Sequence, residues 1–337
     1  MRTAVLGASG YAGAELLRLI ANHPDLDLEL ATGESAAGTM VRTHSPSLAG
    51  AYPSLVFSPT SAVDEADVDV VFLALPHGVS QDLVPRLLER NLVVVDLGAD
   101  FRLPDAATYE QWYGHAHRAP DSLGRAIYGL VERYRDEIRD ARFLAIPGCY
   151  PTATTLALAP FVDAGVIARE GIIVNALSGV SGAGRASSDR LHFPRVAGGA
   201  EAYGLLTHRH TAEMQMELGA SVLFTPHLIP IARGMLVTAY APLARDCSTD
   251  HALALLSETY ASDPFISVSA TPPSAKDPLG SNMAMLSVVV DERTRTLVAM
   301  AAIDNLTKGA AGQALQAFNV AMGLDETRGL SLAAVAP

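Results

Sequence analysis

One short stretch near the start restricts the fold more than any other. Thr3 to Leu6 is an apolar strand, Gly7-Ala8-Ser9-Gly10-Tyr11-Ala12-Gly13 follows, and Ala14 to Ile20 reads as an amphipathic helix. Glycines at 7, 10 and 13 thus lie in a turn between a strand and a helix. Such a turn lets the backbone approach a pyrophosphate, and the helix N-terminus supplies N–H donors and a favourable dipole. The spacing predicts a dinucleotide-binding turn in which Gly7, Ser9, Gly10, Tyr11, Ala12 and Gly13 surround the phosphates.

The next runs extend the same pattern. Leu26 to Thr32, Val68 to Leu75, Leu92 to Leu97 and Arg142 to Ile146 are short and apolar, as parallel strands buried on both faces should be. Ser80 is placed to cap a helix over Gln81 to Arg90. The fold class expected is α/β, a Rossmann-type doubly wound sheet followed by an α+β domain with a mixed sheet. Ligands of such sheets lie beyond the strand ends. That brings in Ser35 and Gly38 after the second strand, Pro76 and His77 after the third, and Asp100 and Arg102 after the fourth. Ser35 and Thr39 suit a ribose 2′-phosphate, whereas Glu34 opposes one, so these residues leave NAD and NADP both open. Residues 103–140 read as a polar, irregular excursion with the only tryptophan, Trp112.

Beyond it, Phe143 to Ile146 leads through Pro147-Gly148 to Cys149, and Thr152 to Val162 has helical character. A thiol at a strand-to-helix turn sits where a helix N-terminus favours the thiolate. It would also lie at the carboxyl edge of the nucleotide-binding sheet, where a nicotinamide belongs. The other cysteine, Cys247, reads as structural, with no base or helix start beside it. Two cysteines far apart in 337 residues argue against a disulfide framework, and a reducing cytoplasm fits. A net charge of −12 without a basic cluster argues against nucleic acid, and no apolar run is long enough for a membrane span. The ten histidines show no metal-ligand spacing.

The pattern then changes. Strands are expected at Gly171 to Leu177, Ser221 to Phe224, Gly234 to Pro242, Ala284 to Val290 and Thr296 to Ile303, with a helix over Asp250 to Ala261. Ser178 to Arg185 is a small-residue loop rich in N–H groups, suited to an anion or oxyanion. His208 and His210 flank Arg209, and Glu213 follows; a helical path there would put His210 and Glu213 on one face. Ala310 to Met322 reads as a helix that returns to the first domain. The domains expected are 1–148 plus 306–337 for the dinucleotide and 149–305 for catalysis and oligomerisation.

Pro147-Gly148-Cys149-Tyr150-Pro151-Thr152, with the glycine turn, Ala74 to Gly78, Gly98 to Leu103, His208-Arg209-His210, Arg233-Gly234 and Ile303 to Gly309, resembles the N-acetyl-γ-glutamyl-phosphate reductase family within the semialdehyde dehydrogenases. The resemblance covers essentially the whole chain. It implies NADP (NADPH) as cofactor, a small-molecule acyl phosphate as substrate, a role in arginine biosynthesis, and a homotetramer or homodimer. Glu34 and Ala212 depart from the family's pattern.

The chemistry expected is covalent. A Cys149 thiolate displaces phosphate, and the thioester is reduced to an aldehyde. His210 is the expected base, with His208 as second choice and Glu213 as orienting group. Arg102, Arg185, Tyr203 and Arg233 are candidates for substrate, because arginine binds phosphate and carboxylate in bidentate fashion. Ser178, Gly179, Gly182 and Asn305 are expected near the cofactor. Two alternatives remain open: the same chemistry on an aminoadipyl phosphate, and a non-catalytic nucleotide-binding protein.

Overall fold

The structure, a computed structural model, describes residues 1–335. The chain divides into two compact units. One holds residues 1–147 and 310–330, the other residues 148–309 and the described residues from Ser331 on. The returning segment, expected from residue 306, therefore joins the first unit at Ala310, and the tail beyond Leu330 groups with the second.

The first unit is built on β1 (Arg2–Leu6), β2 (Asp27–Ala31), β3 (Val70–Leu73), β4 (Val93–Asp96), β5 (Ile127–Tyr128) and β6 (Phe143–Ala145). They lie in the order β2-β1-β3-β4-β6-β5, and every pair is parallel. Its helices are α1 (Tyr11–Ile20), α2 (Val41–His44), α3 (Ser80–Glu89), α4 (Ala106–Tyr113), α5 (Val131–Ile138) and the last helix, Gly312–Ala321. Alternation along each strand feeds two cores. Val70 and Phe72 of β3 pack with Leu16, Leu17 and Phe318 on one face. Val71 and Leu73 pack with Leu83, Val84 and Leu87 on the other. Both faces need apolar residues, so the strands read as unbroken apolar runs. This is the doubly wound α/β sheet expected.

Three local readings are corrected. Ser80 does not cap α3; it lies inside the helix, and its hydroxyl donates to Asp96 Oδ1 at 3.0 Å, a buried acceptor that takes the hydroxyl from the helix end. The stretch 103–140 is not irregular. It holds α4, capped by Asp105 accepting from the Thr108 N–H, the edge strand β5 and α5. The two strand residues show no period, and α5 is polar and broken at Tyr134 (φ −126°, ψ 30°), so neither left a pattern in the sequence. The last helix starts later than expected, after a π turn at Thr307–Ala311, and is buried on every side. Its polar residues are bonded: Gln316 to Glu132 and Glu326 (both 3.0 Å), Asn319 to His23 (2.9 Å).

The second unit is built on β7 (Ile172–Gly179), β8 (Glu201–Ala202), β9 (Val222–Ile229), β10 (Met235–Pro242), β11 (Ile266–Val268), β12 (Ala284–Asp291) and β13 (Thr296–Ile303). The order is β11-β12-β13-β10-β7-β9-β8. Two pairs, β7 with β9 and β11 with β12, are parallel and the rest antiparallel, the mixed sheet expected. Strand β9 continues past Phe224, where the sequence reading stopped it. The helices are α6 (Cys149–Asp163), α7 (Phe193–Val196), α8 (His210–Leu218) and α9 (Thr249–Thr259). From Tyr150 to Val162 every residue of α6 is buried, because it lies over one sheet face with α8 and α9 beside it. Alternate residues on the opposite face stay open: Ile173, Leu177, Leu223, Tyr240 and Val289 are all exposed.

Phe318 is fully buried, with its ring centroid 5.6 Å from that of Phe72. Phe318→Ala should destabilise the first unit by about 3–5 kcal/mol, measured by denaturant unfolding.

Candidate active site

In the first unit the strand order reverses between β1 and β3, and ligands of such sheets occupy the crevice at that point. Gly7 has φ +80°, and a Cβ there would lie 2.2 Å from the Ala74 carbonyl oxygen. A Cβ on Gly13 would lie 2.3 Å from the Gly7 oxygen. Close packing of strand and helix demands these two. Gly10 differs: its Cβ would meet nothing nearer than 3.5 Å, and no side chain caps the helix it opens. A glycine that its neighbours do not require, at an uncapped helix start, fits a pyrophosphate laid against the backbone.

Around this turn, Ser9 packs at Gly33 and its carbonyl accepts from His44 Nε2 at 3.0 Å. Tyr11 is exposed and Ala12 lies in the first turn of α1. Ser35 sits in the short 3-10 turn Glu34–Ala36, and Gly38 follows at φ +83°. The Glu34 carboxylate accepts the Thr60 N–H at 3.0 Å, which holds it below the usual carboxylate range. It is thereby turned to Thr60.

At the end of β3, the Pro76-His77-Gly78 turn is clamped by Asp100. That buried carboxylate is 2.8 Å from His77 Nδ1 and accepts the Gly78 N–H at 2.9 Å. Burial alone would raise Asp100, but the His77 and Gly78 bonds outweigh it and hold it low. His77 Nε2 meets the Tyr109 hydroxyl at 3.2 Å, and Gln81 donates to that hydroxyl at 2.6 Å. Tyr109 and Gln81 were missed in the sequence; they come from helices, one of them inside the supposed irregular stretch. Below them, burial pushes Asp96 up to about 7. Arg102 is almost wholly buried, and its Nη2 donates to the Leu97 carbonyl at 2.7 Å.

In the second unit, Cys149 is the first residue of α6, after the cap Gly148, and is half-buried. A Cβ on Gly148 would lie 2.5 Å from His210 Nε2, so the imidazole rests directly on the backbone that precedes the thiol. Glu213 joins the two. Its Oε2 accepts the Gly148 N–H at 3.0 Å, and its Oε1 is 3.9 Å from His210 Nε2. Both side chains come from α8 at i, i+3 spacing, which puts them on one helix face.

His208 has a different place. Its Nδ1 accepts the His210 N–H at 3.2 Å, and Tyr150, Tyr203 and Phe224 enclose the ring. Burial, helped by Arg209, pushes it down to about 4, so it is neutral at neutral pH. The Tyr150 and Tyr203 hydroxyls share a 2.8 Å bond, and burial pushes both up, Tyr203 to about 12.

The remaining candidates are spread around β7 and β13. Ser178 and Gly179 end β7, and Gly182 follows in the 3-10 turn Val180–Ala183, which opens to the exposed Arg185. Asn305 accepts the Gly234 N–H at 2.7 Å and donates to Ser181 at 2.9 Å, tying that turn to β10. Arg233 Nη2 donates to the buried Asp304 at 3.0 Å. Cys247 corrects an expectation: a helix does start beside it, since Ser248 caps α9, and His251 lines the same surface cavity of about 510 Å³. Burial pushes that thiol up. Among the described residues, no three His, Cys, Asp or Glu side chains are grouped to hold a metal ion, and no helix is long and apolar enough to cross a membrane.

A unit with a glycine turn at the switch point of a parallel sheet and a unit with a cysteine at a helix N-terminus beside a histidine define a class, the nicotinamide-dependent oxidoreductases. Residues 2–141 match the semialdehyde dehydrogenase NAD binding domain, and residues 149–305 match the semialdehyde dehydrogenase dimerisation domain. The chain belongs to the semialdehyde dehydrogenase family. It is 45% identical to the N-acetyl-gamma-glutamyl-phosphate reductase of Symbiobacterium thermophilum, over 98% of this chain and 97% of the relative. It is 43% identical to the enzyme of that name from Acidithiobacillus ferrooxidans, over 100% of both chains. In fold it is similar to aspartate semialdehyde dehydrogenase II from Vibrio cholerae (TM-score 0.69, 19% identity, 95% of this chain and 97% of that one).

Two outcomes test the second unit. Glu213→Ala leaves the buried Gly148 N–H without an acceptor and should destabilise by about 1–3 kcal/mol; Glu213→Gln, which keeps an acceptor, should lose less in the same unfolding titration. Unfolded, His208 binds a proton below about 6.5; folded, only below about 4. Between these values the unfolded chain holds more protons, so acid favours unfolding. The stability present above pH ~6.5 should fall as pH drops toward ~4, by up to about 3 kcal/mol, and His208→Gln should flatten that slope.

Proposed function

We propose that the chain reduces N-acetyl-γ-glutamyl phosphate to N-acetyl-glutamate semialdehyde and phosphate with NADPH. The observation that carries the reading is the His210 ring on Gly148, bridged by Glu213, at the helix start that presents Cys149. The thiolate attacks the acyl carbon, the C–O bond to phosphate breaks, and a thioester remains on Cys149. Gly7, Gly10 and Gly13 would hold the pyrophosphate of NADPH, which when bound would supply the hydride that takes the acyl group to the aldehyde level. His210 takes the thiol proton, lends it to the oxygen of the Cys149 thiohemiacetal and takes it back as the C–S bond breaks, which releases the aldehyde and the thiolate. Glu213 holds His210 and the Gly148 backbone in register. His208, neutral and bonded to the His210 N–H, positions the second histidine.

Glu34, the charge that opposes a ribose 2′-phosphate, accepts the Thr60 N–H, which supports NADPH. We infer that a second copy docks on the open face of the second unit's sheet through Ile173, Leu177, Leu223, Tyr240 and Val289, in keeping with the family's dimerisation domain. Arg185, exposed beside the 3-10 turn, would serve the substrate phosphate. Arg233 serves substrate through the turn it braces with Asp304.

Cys149→Ser should abolish phosphate-dependent NADP reduction with the semialdehyde, and His210→Gln should lower turnover by about 10²–10⁴-fold. Survival of activity in Cys149→Ser would end the covalent reading. The glutamyl substrate should be preferred over the aminoadipyl one by about 10–200-fold in kcat/KM; a reversed preference in steady-state assays would move the assignment to lysine-type substrates.

A further inference from the structure

Cys149 is flanked by a second glycine that the mechanism above does not use. A Cβ built on Gly309 would lie 2.7 Å from Cys149 Cβ, 3.3 Å from Ile303 Cδ1 and 3.4 Å from the Asp304 carbonyl oxygen. Real Cβ atoms do not approach that closely, so the Gly309 backbone rests directly against the base of the Cys149 side chain. Gly309 belongs to the π turn Thr307–Ala311, and such turns recur at functional sites.

The turn has little freedom to yield. The Gly309 N–H donates to the Asp304 carbonyl at 2.9 Å. The Asp304 carboxylate, fully buried, accepts from Leu306 N–H (2.9 Å), Gly280 N–H (2.7 Å) and the Arg233 guanidinium (3.0 Å). The Thr307 hydroxyl donates to the Ser281 carbonyl at 2.6 Å. Three separate stretches, around residues 233, 280 and 304, are thus locked to one carboxylate, and the turn they fix is the one against Cys149.

We propose that Gly309 is a positioning residue for the nucleophile. Its backbone is a stop that sets where Cys149 Cβ, and hence the sulfur, sits at the start of α6, and Asp304 holds that stop in place. The proposal rests on Cys149 being the nucleophile of the proposed reaction. Displacing a reacting group by about 1 Å can lower turnover about 100-fold.

The test uses the full chain and four forms: unsubstituted, Gly309→Ala, Cys149→Gly, and the double substitution. Iodoacetamide alkylation of Cys149 is followed by peptide mapping across the neutral pH range, with kcat, KM and Tm measured alongside. Gly309→Ala should slow Cys149 alkylation and lower kcat by about 10–100-fold, with KM for the acyl phosphate little changed. It should also lower Tm by several degrees in the unsubstituted chain and by much less in Cys149→Gly, because that change removes the atom the new methyl would strike. If Gly309→Ala fails to fold, folding of the double form supports the contact and its failure to fold overturns it. An equal Tm loss in both backgrounds, or unchanged alkylation, overturns it as well. Alkylation and melting need no substrate, so they decide this contact even if the unsubstituted chain proves inactive on acyl phosphates.

Discussion

The second unit depends on one bond, the Gly148 N–H to Glu213. At the start of α6 the backbone must turn, leave room for an imidazole and present a thiol. The N–H at that corner is buried, and a buried N–H without an acceptor costs about 1–3 kcal/mol. A fully buried carboxylate from α8 meets it at 3.0 Å. Because Glu213 and His210 share a helix face, satisfying the corner also sets the imidazole against the backbone that leads into Cys149. One side chain both closes the corner and places the imidazole.

Room is the second constraint. Two glycines frame Cys149: Gly148, on which His210 lies, and Gly309, on which the cysteine's own Cβ rests. In each case an atom that any other residue would carry is the atom that would collide. The Asp304 carboxylate does for the Gly309 side what Glu213 does for the Gly148 side, giving backbone donors an acceptor. In the first unit Asp100 repeats the device, holding the Gly78 N–H and His77 at the crevice rim. Buried carboxylates satisfied by backbone N–H groups hold all three turns, and such bonds resist motion because each partner would be left unpaired in a low-dielectric interior.

Much of this was legible in the sequence. The glycine turn, the apolar strands and the cysteine turn each follow from local rules, and Cys149, His210 and Glu213 could be named together from residue type and i, i+3 spacing. The arginines were harder to read. Residue type suggested anion partners for Arg102 and Arg233, but one is buried on a carbonyl and the other is paired with Asp304. A cation in sequence does not say which acceptor lies nearest, since its partner comes from a distant segment. His208 was ambiguous for the same reason: the aromatic ring of neighbours that keeps it neutral is assembled from Tyr150, Tyr203 and Phe224.

By itself the sequence determined the doubly wound unit, its glycine turn and the cysteine at a strand-to-helix turn, because each depends on residues close together along the chain, where periodicity, glycine and helix ends act. Only the tertiary structure decided which histidine lies against Gly148 and which is enclosed by aromatic rings, which carboxylates hold the turns, and that Gly309 abuts Cys149. Those facts depend on burial and on contacts between segments far apart in sequence, and neither leaves a local pattern to read.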